Sequence, residues 1–259
     1  MAKAKWKAFP YPEKSYAYPG EALRKHWDRL HRGDCEAFPK DPRVQEAWRA
    51  YHRGDFAEAV ALGLESGGSG ITVANKARSI YANGMESKPA VRLALFQESM
   101  EQAEEQVAAE PKNPNAHYQF AYAAGRYSQG ISVAKALAQG LGGRIRAALE
   151  ATLKLAPKHA EAHIAMGTYH AEVIDKVGAL VGGLTYGAKK DAGEEHFRKA
   201  IKLMPDSAIA HVEFANGLVM MHGKKALADA SALYMKAAAF EPRDAMERLD
   251  VEAAKAELE

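Results

Sequence analysis

The chain has 259 residues, of which 47% are hydrophobic, so it is long enough to bury one or two sizeable cores. Its formal charge of +2, with 26% charged residues, argues against a nucleic-acid partner and against a disordered polyanion. Cys35 is the single cysteine, which excludes an internal disulfide and a cysteine-rich zinc site, and no stretch is apolar for long enough to span a membrane.

Residues 1–19 form a basic tail that is rich in proline and tyrosine and contains "FPYPEKSYAYPG". Such a strip cannot form a helix, so we expect it to be extended. It either folds back along the protein or binds a neighbouring molecule, and the second arrangement would produce an oligomer. The tail lacks the apolar core of a signal peptide, which predicts a cytoplasmic location.

Residues 20–38 predict a degenerate helical cap. The segment "HWDRLHRGDCEAF" is repeated 21 residues later as "AWRAYHRGDFAEA", which aligns Trp27 with Trp48. In both copies Gly-Asp predicts a helix stop, a turn and a new helix start. The first copy runs into Pro39 after a few residues, so its second helix is short. The two Arg-Gly-Asp triplets are therefore interpreted as hairpin turns and not as adhesion signals.

Residues 41–242 predict about five helical hairpins, near 41–66, 71–111, 114–157, 160–205 and 208–242. Alanine-rich segments with helical spacing each stop at a proline, because proline disfavours helix in the residue before it. These prolines are Pro111, Pro157, Pro205 and Pro242, separated by 46, 48 and 37 residues. A repeat of this period predicts an all-α protein, a superhelical solenoid of stacked hairpins. Residues 243–259 are expected to form a C-terminal capping helix.

The third and fourth hairpins are lengthened between their helices by glycine-rich, half-apolar inserts at 128–143 and 174–193. Inserts on one edge of a solenoid tend to carry binding features. The second insert also invites comparison with a phosphate-binding loop, because four residues separate Gly182 from Gly187. Ala188 then precedes Lys189, however, and no hydroxyl follows to hold magnesium, so nucleotide hydrolysis is not supported.

The hairpin pattern resembles the tetratricopeptide repeat. Trp48, Gly54, Asp55, Phe56 and Ala59 match the first half of the family motif, whereas the second half is matched by Ala200 with Pro205 and by Ala237 with Pro242. The resemblance implies a right-handed superhelix of α-helical hairpins and a role in protein–protein interaction. The two lengthened hairpins also resemble the divergent repeats of the regulator of microtubule dynamics family and of the T-components of tripartite periplasmic transporters.

Catalysis and metal binding have no local support in the sequence. His117, His163 and His211 occupy equivalent positions in successive repeats, so hairpin packing explains them better than ligation does. No paired-ligand motif or nucleophile elbow is present. The protein is therefore predicted not to be an enzyme and to use no cofactor or metal.

The first helices of the repeats are expected to line a concave binding face. By register, this face and the second insert supply the candidate binding residues Tyr118, Tyr122, Arg126, Thr168, Glu172, Tyr186, Glu213, Asn216 and Met220. The chaperone-binding members of the repeat family carry a lysine and an asparagine where this chain has Tyr118 and Tyr122, which argues against recognition of a C-terminal carboxylate. Packing of these tyrosines between neighbouring helices is an equally good explanation.

Two hypotheses for function follow. In the first, the protein is a non-catalytic scaffold whose concave face holds a peptide or an extended segment of a partner. In the second, it carries a lipid-like or other amphipathic small molecule in a pocket that the two inserts roof over the third and fourth repeats.

Overall fold

The computed structural model describes residues 6–259, and every regular element in that part of the chain is a helix. This confirms the prediction of an all-α protein. Fourteen α-helices are present in the described part. They are α1 (Ala22–Leu30), α2 (Pro42–Arg53), α3 (Phe56–Ser66), α4 (Gly70–Gly84), α5 (Pro89–Ala109), α6 (Pro114–Gln129), α7 (Val133–Ala138), α8 (Leu141–Leu155), α9 (Ala160–Val177), α10 (Ala179–Tyr186), α11 (Lys190–Leu203), α12 (Ala208–His222), α13 (Leu227–Ala238) and α14 (Ala245–Ala256).

Five helical hairpins form the body of the protein: α2 with α3, α4 with α5, α6 with α8, α9 with α11, and α12 with α13. The second helix of each hairpin also packs on the first helix of the next one. The first helices contact one another along the series α2, α4, α6, α9 and α12, so they lie side by side on one face of the solenoid. We call this surface the first-helix face.

Short polar and proline signals set the helix starts. Asp41 and Asn113 accept hydrogen bonds from backbone N–H groups in the first turns of α2 and α6, and proline follows directly in each helix. Gly54 ends α2 at a φ of 91°, a conformation that glycine adopts at little cost. These stops keep the hairpins in register, since each helix begins and ends at a fixed place along the chain.

Small residues let neighbouring hairpins approach closely around Phe197, which is fully buried in α11. A Cβ atom added to Gly167 or Gly217 would lie 2.8 or 2.5 Å from the Phe197 ring. The ring therefore fills the space that these two glycines leave between α9, α11 and α12. Ala200, one turn further along α11, is also fully buried.

The described part of the tail packs on its own chain. Trp6 stacks on Tyr81 of α4 with ring centroids 4.0 Å apart, and Phe9 lies against Gly54. At the end of the tail, the Tyr18 hydroxyl donates a hydrogen bond of 2.7 Å to the backbone carbonyl of Arg243. Residues 1–5, the basic start of the predicted tail, lie outside the described residues.

The loop after α1 reaches across the first-helix face. The backbone N–H of Glu161 in α9 donates to the carbonyl of Gly33 at 3.0 Å, and Lys76 of α4 binds both Asp34 and Glu161. Arg32 forms an ion pair with Asp206, which precedes α12. The segment thus joins repeats that are far apart in the sequence.

The last helix, α14, also crosses this face. It packs on α12 and α13 and returns to contact α2. The Tyr51 hydroxyl lies 2.9 Å from the Met246 sulfur, and Leu249 covers Gly84 at the end of α4. The helix therefore joins the last hairpin to the first two. No helix within residues 6–259 is both long and apolar enough to cross a membrane.

Candidate functional site

An apolar cavity of about 190 Å³ lies on the first-helix face. Its walls come from α6, α8 and α9, and α14 closes one side. The two inserts contribute α7 and α10 at its edge. The principal apolar lining residues are Ala121, Val133, Leu137, Leu141, Ile145, Leu149, Ala165, Val173 and Leu249.

The second insert is fixed to the third repeat through Tyr186, the last residue of α10. Its carbonyl oxygen accepts hydrogen bonds from Tyr169 at 3.1 Å and from Arg146 at 3.0 Å. Its ring packs so closely on Gly142 that a Cβ there would lie 3.1 Å away. Gly187, at a φ of 65°, ends the helix and turns the chain towards α11. The insert of repeat four is thereby held against α8 of repeat three.

A polar group borders the cavity where α6, α9 and α12 meet. Arg126 donates to one oxygen of Glu213 at 2.6 Å, and Thr168 donates to the other at 3.1 Å. The guanidinium of Arg126 also lies 5.4 Å from the centre of the Tyr122 ring. Although burial alone would lower the pKa of Arg126, the Glu213 carboxylate beside it raises that pKa above its usual range. Arg126 is therefore a permanent cation that is already neutralised.

A second polar group lies at the edge of the cavity. Gln129 donates to Glu172 at 2.6 Å, and Lys176 lies 3.3 Å from the other oxygen of the same carboxylate. These contacts join α6 to α9 near the inserts. The Glu172 carboxylate is thus satisfied by an amide and an ammonium group.

Tyr118 and Glu161 form the deep wall. Burial raises the pKa of Tyr118, whose ring centroid lies 4.6 Å from that of His159. Burial also raises the pKa of Glu161, and the Lys76 ammonium at 2.8 Å opposes that effect. His159 packs on Tyr118 and Lys76 pairs with Glu161, so both side chains have fixed partners within the protein.

Asp250 of α14 projects a carboxylate among the cavity residues. Burial raises its pKa well above the usual value, and Asp244, Glu247, Glu161 and Glu213 raise it further. The charged groups that perturb it most are thus all acids. Asp250 therefore differs from the other carboxylates of the site.

Seven of the nine predicted residues line this one cavity: Tyr118, Tyr122, Arg126, Thr168, Glu172, Tyr186 and Glu213. Asn216 lies away from it and accepts a hydrogen bond from the Tyr234 hydroxyl of α13. Met220 packs instead with the hydrophobic core of α9, α11 and α12. Met246, Leu249 and Asp250 of α14 also line the cavity but were not predicted from the sequence. Nothing local in this last helix indicates that it crosses the first-helix face.

The three histidines at equivalent repeat positions make backbone contacts. His117 and His163 each place Nε2 within hydrogen-bond distance of a carbonyl six residues earlier, that of Pro111 or Pro157. His211 contacts the Ser207 carbonyl through Nδ1 at 2.8 Å. Among residues 6–259, no group of three histidine, cysteine or carboxylate side chains is arranged to hold a metal ion.

Stacked hairpins with this register define a tetratricopeptide-like helical-repeat protein. A crystal structure of a thermophilic tetratricopeptide-repeat protein from Thermus thermophilus is similar, with a TM-score of 0.57 at 16% identity, covering 83% of this chain and 97% of that chain. At this identity the similarity shows the fold. The model of the family described as regulator of microtubule dynamics protein 1-3 matches residues 71–257, and the chain belongs to that family. None of the curated proteins matches the chain.

Proposed function

We propose that the protein is a non-catalytic interaction module whose protein or peptide partner inserts one long side chain into the cavity. The observation that carries this proposal is the apolar cavity between α6, α8, α9 and the inserts. Interfaces commonly depend on one anchor residue that fills such a pocket. The fold supports interaction in general, since a solenoid offers an extended surface.

The size of the cavity decides what can enter. An apolar cavity of about 150 Å³ accommodates benzene, so about 190 Å³ suits one long or aromatic side chain. A helix, with a diameter of about 10 Å, is too large to enter. Because α14 already covers part of the first-helix face, we place the rest of the partner at the insert edge.

Exposed apolar residues support that placement. Leu180 and Leu184 on α10 are 76% and 82% exposed, and Leu137 on α7 is 48% exposed. Leu137 also lines the cavity, and the helix that carries Leu180 and Leu184 ends at Tyr186, another lining residue. Burial of a few such residues would add about 2 kcal/mol each to binding.

Affinity capture with a cavity-filling variant tests the proposal. Ala165→Phe adds a ring where Ala165 lines the cavity, whereas Ala228→Phe adds the same ring to an exposed position on α13. Proteins recovered with the parent and with Ala228→Phe should be lost with Ala165→Phe. Equal recovery with both variants would show that the cavity is not the binding site.

A second candidate function is a carrier for an amphipathic small molecule in the same cavity. It is favoured by the position of Tyr186, which holds the insert of repeat four against the third repeat at the cavity edge. Native mass spectrometry of freshly purified protein separates the two functions. A small mass that co-purifies with the parent and is lost in Ala165→Phe supports the carrier, and its absence supports the interaction module.

A further inference from the structure

We infer that the group entering the cavity ends in a cationic nitrogen on an apolar stem, and that the Asp250 carboxylate receives the cation. This inference rests on the proposed function and deepens it, because it names the chemistry that the cavity recognises. It concerns a basic side chain of a partner or a free alkylamine, which share that chemistry.

The charge balance of the cavity walls favours a cation. Four carboxylates line the cavity, and three of them have cations: Glu161 pairs with Lys76, Glu172 with Lys176, and Glu213 with Arg126. Asp250 has neither an ion pair nor a side-chain hydrogen bond within residues 6–259, and the charged groups that perturb it most are all acids. A partly buried carboxylate in this position costs free energy until a cation approaches or a proton binds.

The residues that share the cavity with Asp250 also suit a cation on an apolar stem. Tyr118 and Tyr122 line the same cavity, and an aromatic ring attracts a cation within about 6 Å of its centre. Ala121, Ile145 and Leu149 offer an apolar wall for methylene groups. Lysine, arginine and alkylamines combine such a stem with a charged end. The cavity volume fits one stem of this length.

The cavity walls do not suit an anionic ligand. An anionic head group would need a free cation, but the guanidinium of Arg126 donates to Glu213 at 2.6 Å. Lys176, the other basic residue that lines the cavity, pairs with Glu172. In the described part of the chain, the cavity lining therefore offers one carboxyl group without a cation and no cation without a carboxylate.

Isothermal titration with three six-carbon probes tests the inference: hexylammonium, hexanoate and 1-hexanol. The parent should bind hexylammonium at least ten-fold more tightly than the other two. Asp250→Asn should abolish that preference, whereas Glu257→Gln, an exposed change just after the same helix, should preserve it. Equal affinity for all three probes overturns the inference but leaves the cavity's binding function intact. If no probe binds, the inference is overturned, and affinity capture with Ala165→Phe decides the proposed function separately.

A measurement on the parent protein tests the same inference without requiring that Asp250→Asn folds. Cation binding should ionise Asp250, so hexylammonium should release protons, detected as a heat that changes with the ionisation enthalpy of the buffer. Hexanol should release none. Absence of proton release together with unchanged preference in Asp250→Asn would contradict the assignment of Asp250.

The source of the cation is settled with a peptide pair. Acetyl-Leu-Lys-Leu-amide is compared with its norleucine counterpart, which has a similar stem but no ammonium group. Tighter binding of the lysine peptide than of hexylammonium assigns the cavity to a partner side chain, and the reverse assigns it to a free alkylamine. Loss of the lysine preference in Asp250→Asn is expected in either case, and its persistence would overturn the inference.

Discussion

His31 and His52 face each other through their Nε2 atoms at 3.3 Å, both almost fully buried. The two residues occupy the same position in the two copies of the His-Arg-Gly-Asp motif. On the opposite side of each ring, Nδ1 of His31 contacts Asp34 at 3.0 Å and Nδ1 of His52 contacts Asp244 at 2.8 Å. The carboxylates favour a proton on each Nδ1, because an ionised carboxylate can only accept a hydrogen bond. Burial lowers the pKa of His52, and the Asp244 carboxylate opposes that effect.

This chain of buried groups joins segments that are distant in the sequence, and we expect Asp244→Ala to be strongly destabilising. Asp244 pairs with His52 and also caps α14 by accepting from the Glu247 N–H at 2.8 Å. Its removal leaves the buried Nδ1 of His52 without a partner, at a cost of about 1–3 kcal/mol, and the lost cap costs about 1 kcal/mol more. Urea denaturation should show a loss of about 2–4 kcal/mol in the free energy of unfolding.

Asp41→Ala is the matched control for this change. Asp41 caps α2 in the same way but lies at the surface and contacts no histidine. Its loss should therefore remove only the contribution of a surface helix cap, which is smaller than that of a cap that also binds a buried histidine. A cost for Asp244→Ala no greater than that of the control would mean that the buried histidine pair contributes nothing to stability.

A second prediction concerns Lys76, whose ammonium joins two buried carboxylates. It lies 2.5 Å from Asp34 and 2.8 Å from Glu161, so it connects the loop after α1, α4 and α9. Burial alone would lower the pKa of Lys76, but the two carboxylates raise it above its usual range. Lys76→Met should cost about 4 kcal/mol in urea denaturation, because it leaves the buried Glu161 without a cation and leaves Asp34 with only His31 and a backbone N–H as partners.

Two further variants identify the cause of that loss. Adding Glu161→Gln to Lys76→Met removes one uncompensated charge and should recover about 1–2 kcal/mol. Lys112→Met removes an exposed lysine and should change stability by less than about 0.5 kcal/mol. A double variant that is less stable than Lys76→Met would contradict the electrostatic explanation.

The sequence predicted the hairpins well because their signals are local. Helix stops at Pro111 and Pro157, caps and the spacing of small residues all act within a few residues. The contacts that join the ends of the chain carry no such signal: Asp244 meets His52 across 192 positions. The inserts were recognised as irregular, but their short helices α7 and α10 depend on packing against α8 and α9.

The candidate site, too, could be predicted only where its residues follow a local sequence pattern. Register along the first helices predicted Tyr122, Arg126 and Glu213 for one face, and all three line the same cavity because helices α6, α9 and α12 stack in sequence. It could not identify Asp250, because the position of α14 on the first-helix face is a tertiary property. Asn216 also fits the register, but it contacts Tyr234 of α13 and does not line the cavity. Residues with the same spacing on a first helix can therefore face different neighbours.

A third prediction is a pH-dependent stability at Glu36. Burial, followed by the nearby Asp34 carboxylate, raises the pKa of Glu36 from 4.5 to about 7, while Asn115 and Lys76 oppose this effect and Glu110 adds to it. Because the pKa is higher in the folded state, the stabilising contribution is complete below pH 4.5 and is lost as the pH rises through 7. Glu36→Gln should therefore be more stable than the parent at pH 8, by up to about 3 kcal/mol.

The measurement is the free energy of unfolding from pH 4 to pH 8. The parent and Glu36→Gln should be equally stable at pH 4 and diverge as the pH rises. Glu21→Gln is the control, since Glu21 lies on the surface before α1. Parallel curves for the parent and Glu36→Gln across this range would show that Glu36 is not perturbed by its surroundings.

The last prediction concerns the close packing of Phe197 on the glycines of α9 and α12. Alanine normally stabilises a helix interior by about 1 kcal/mol relative to glycine. In Gly217→Ala, however, the new Cβ would lie 2.5 Å from the Phe197 ring, and overpacking of a core costs about 1–3 kcal/mol. The net result should be a loss of about 1–2 kcal/mol in the free energy of unfolding.

Gly125→Ala is the control, because a Cβ at Gly125 in α6 meets nothing within 4 Å. This change should stabilise the protein by up to about 1 kcal/mol. Combining Gly217→Ala with Phe197→Leu removes the crowding, so the pair should be less destabilising than the sum of the single changes. Additive losses in urea denaturation would show that the contact between the ring and the glycine does not set the distance between the hairpins.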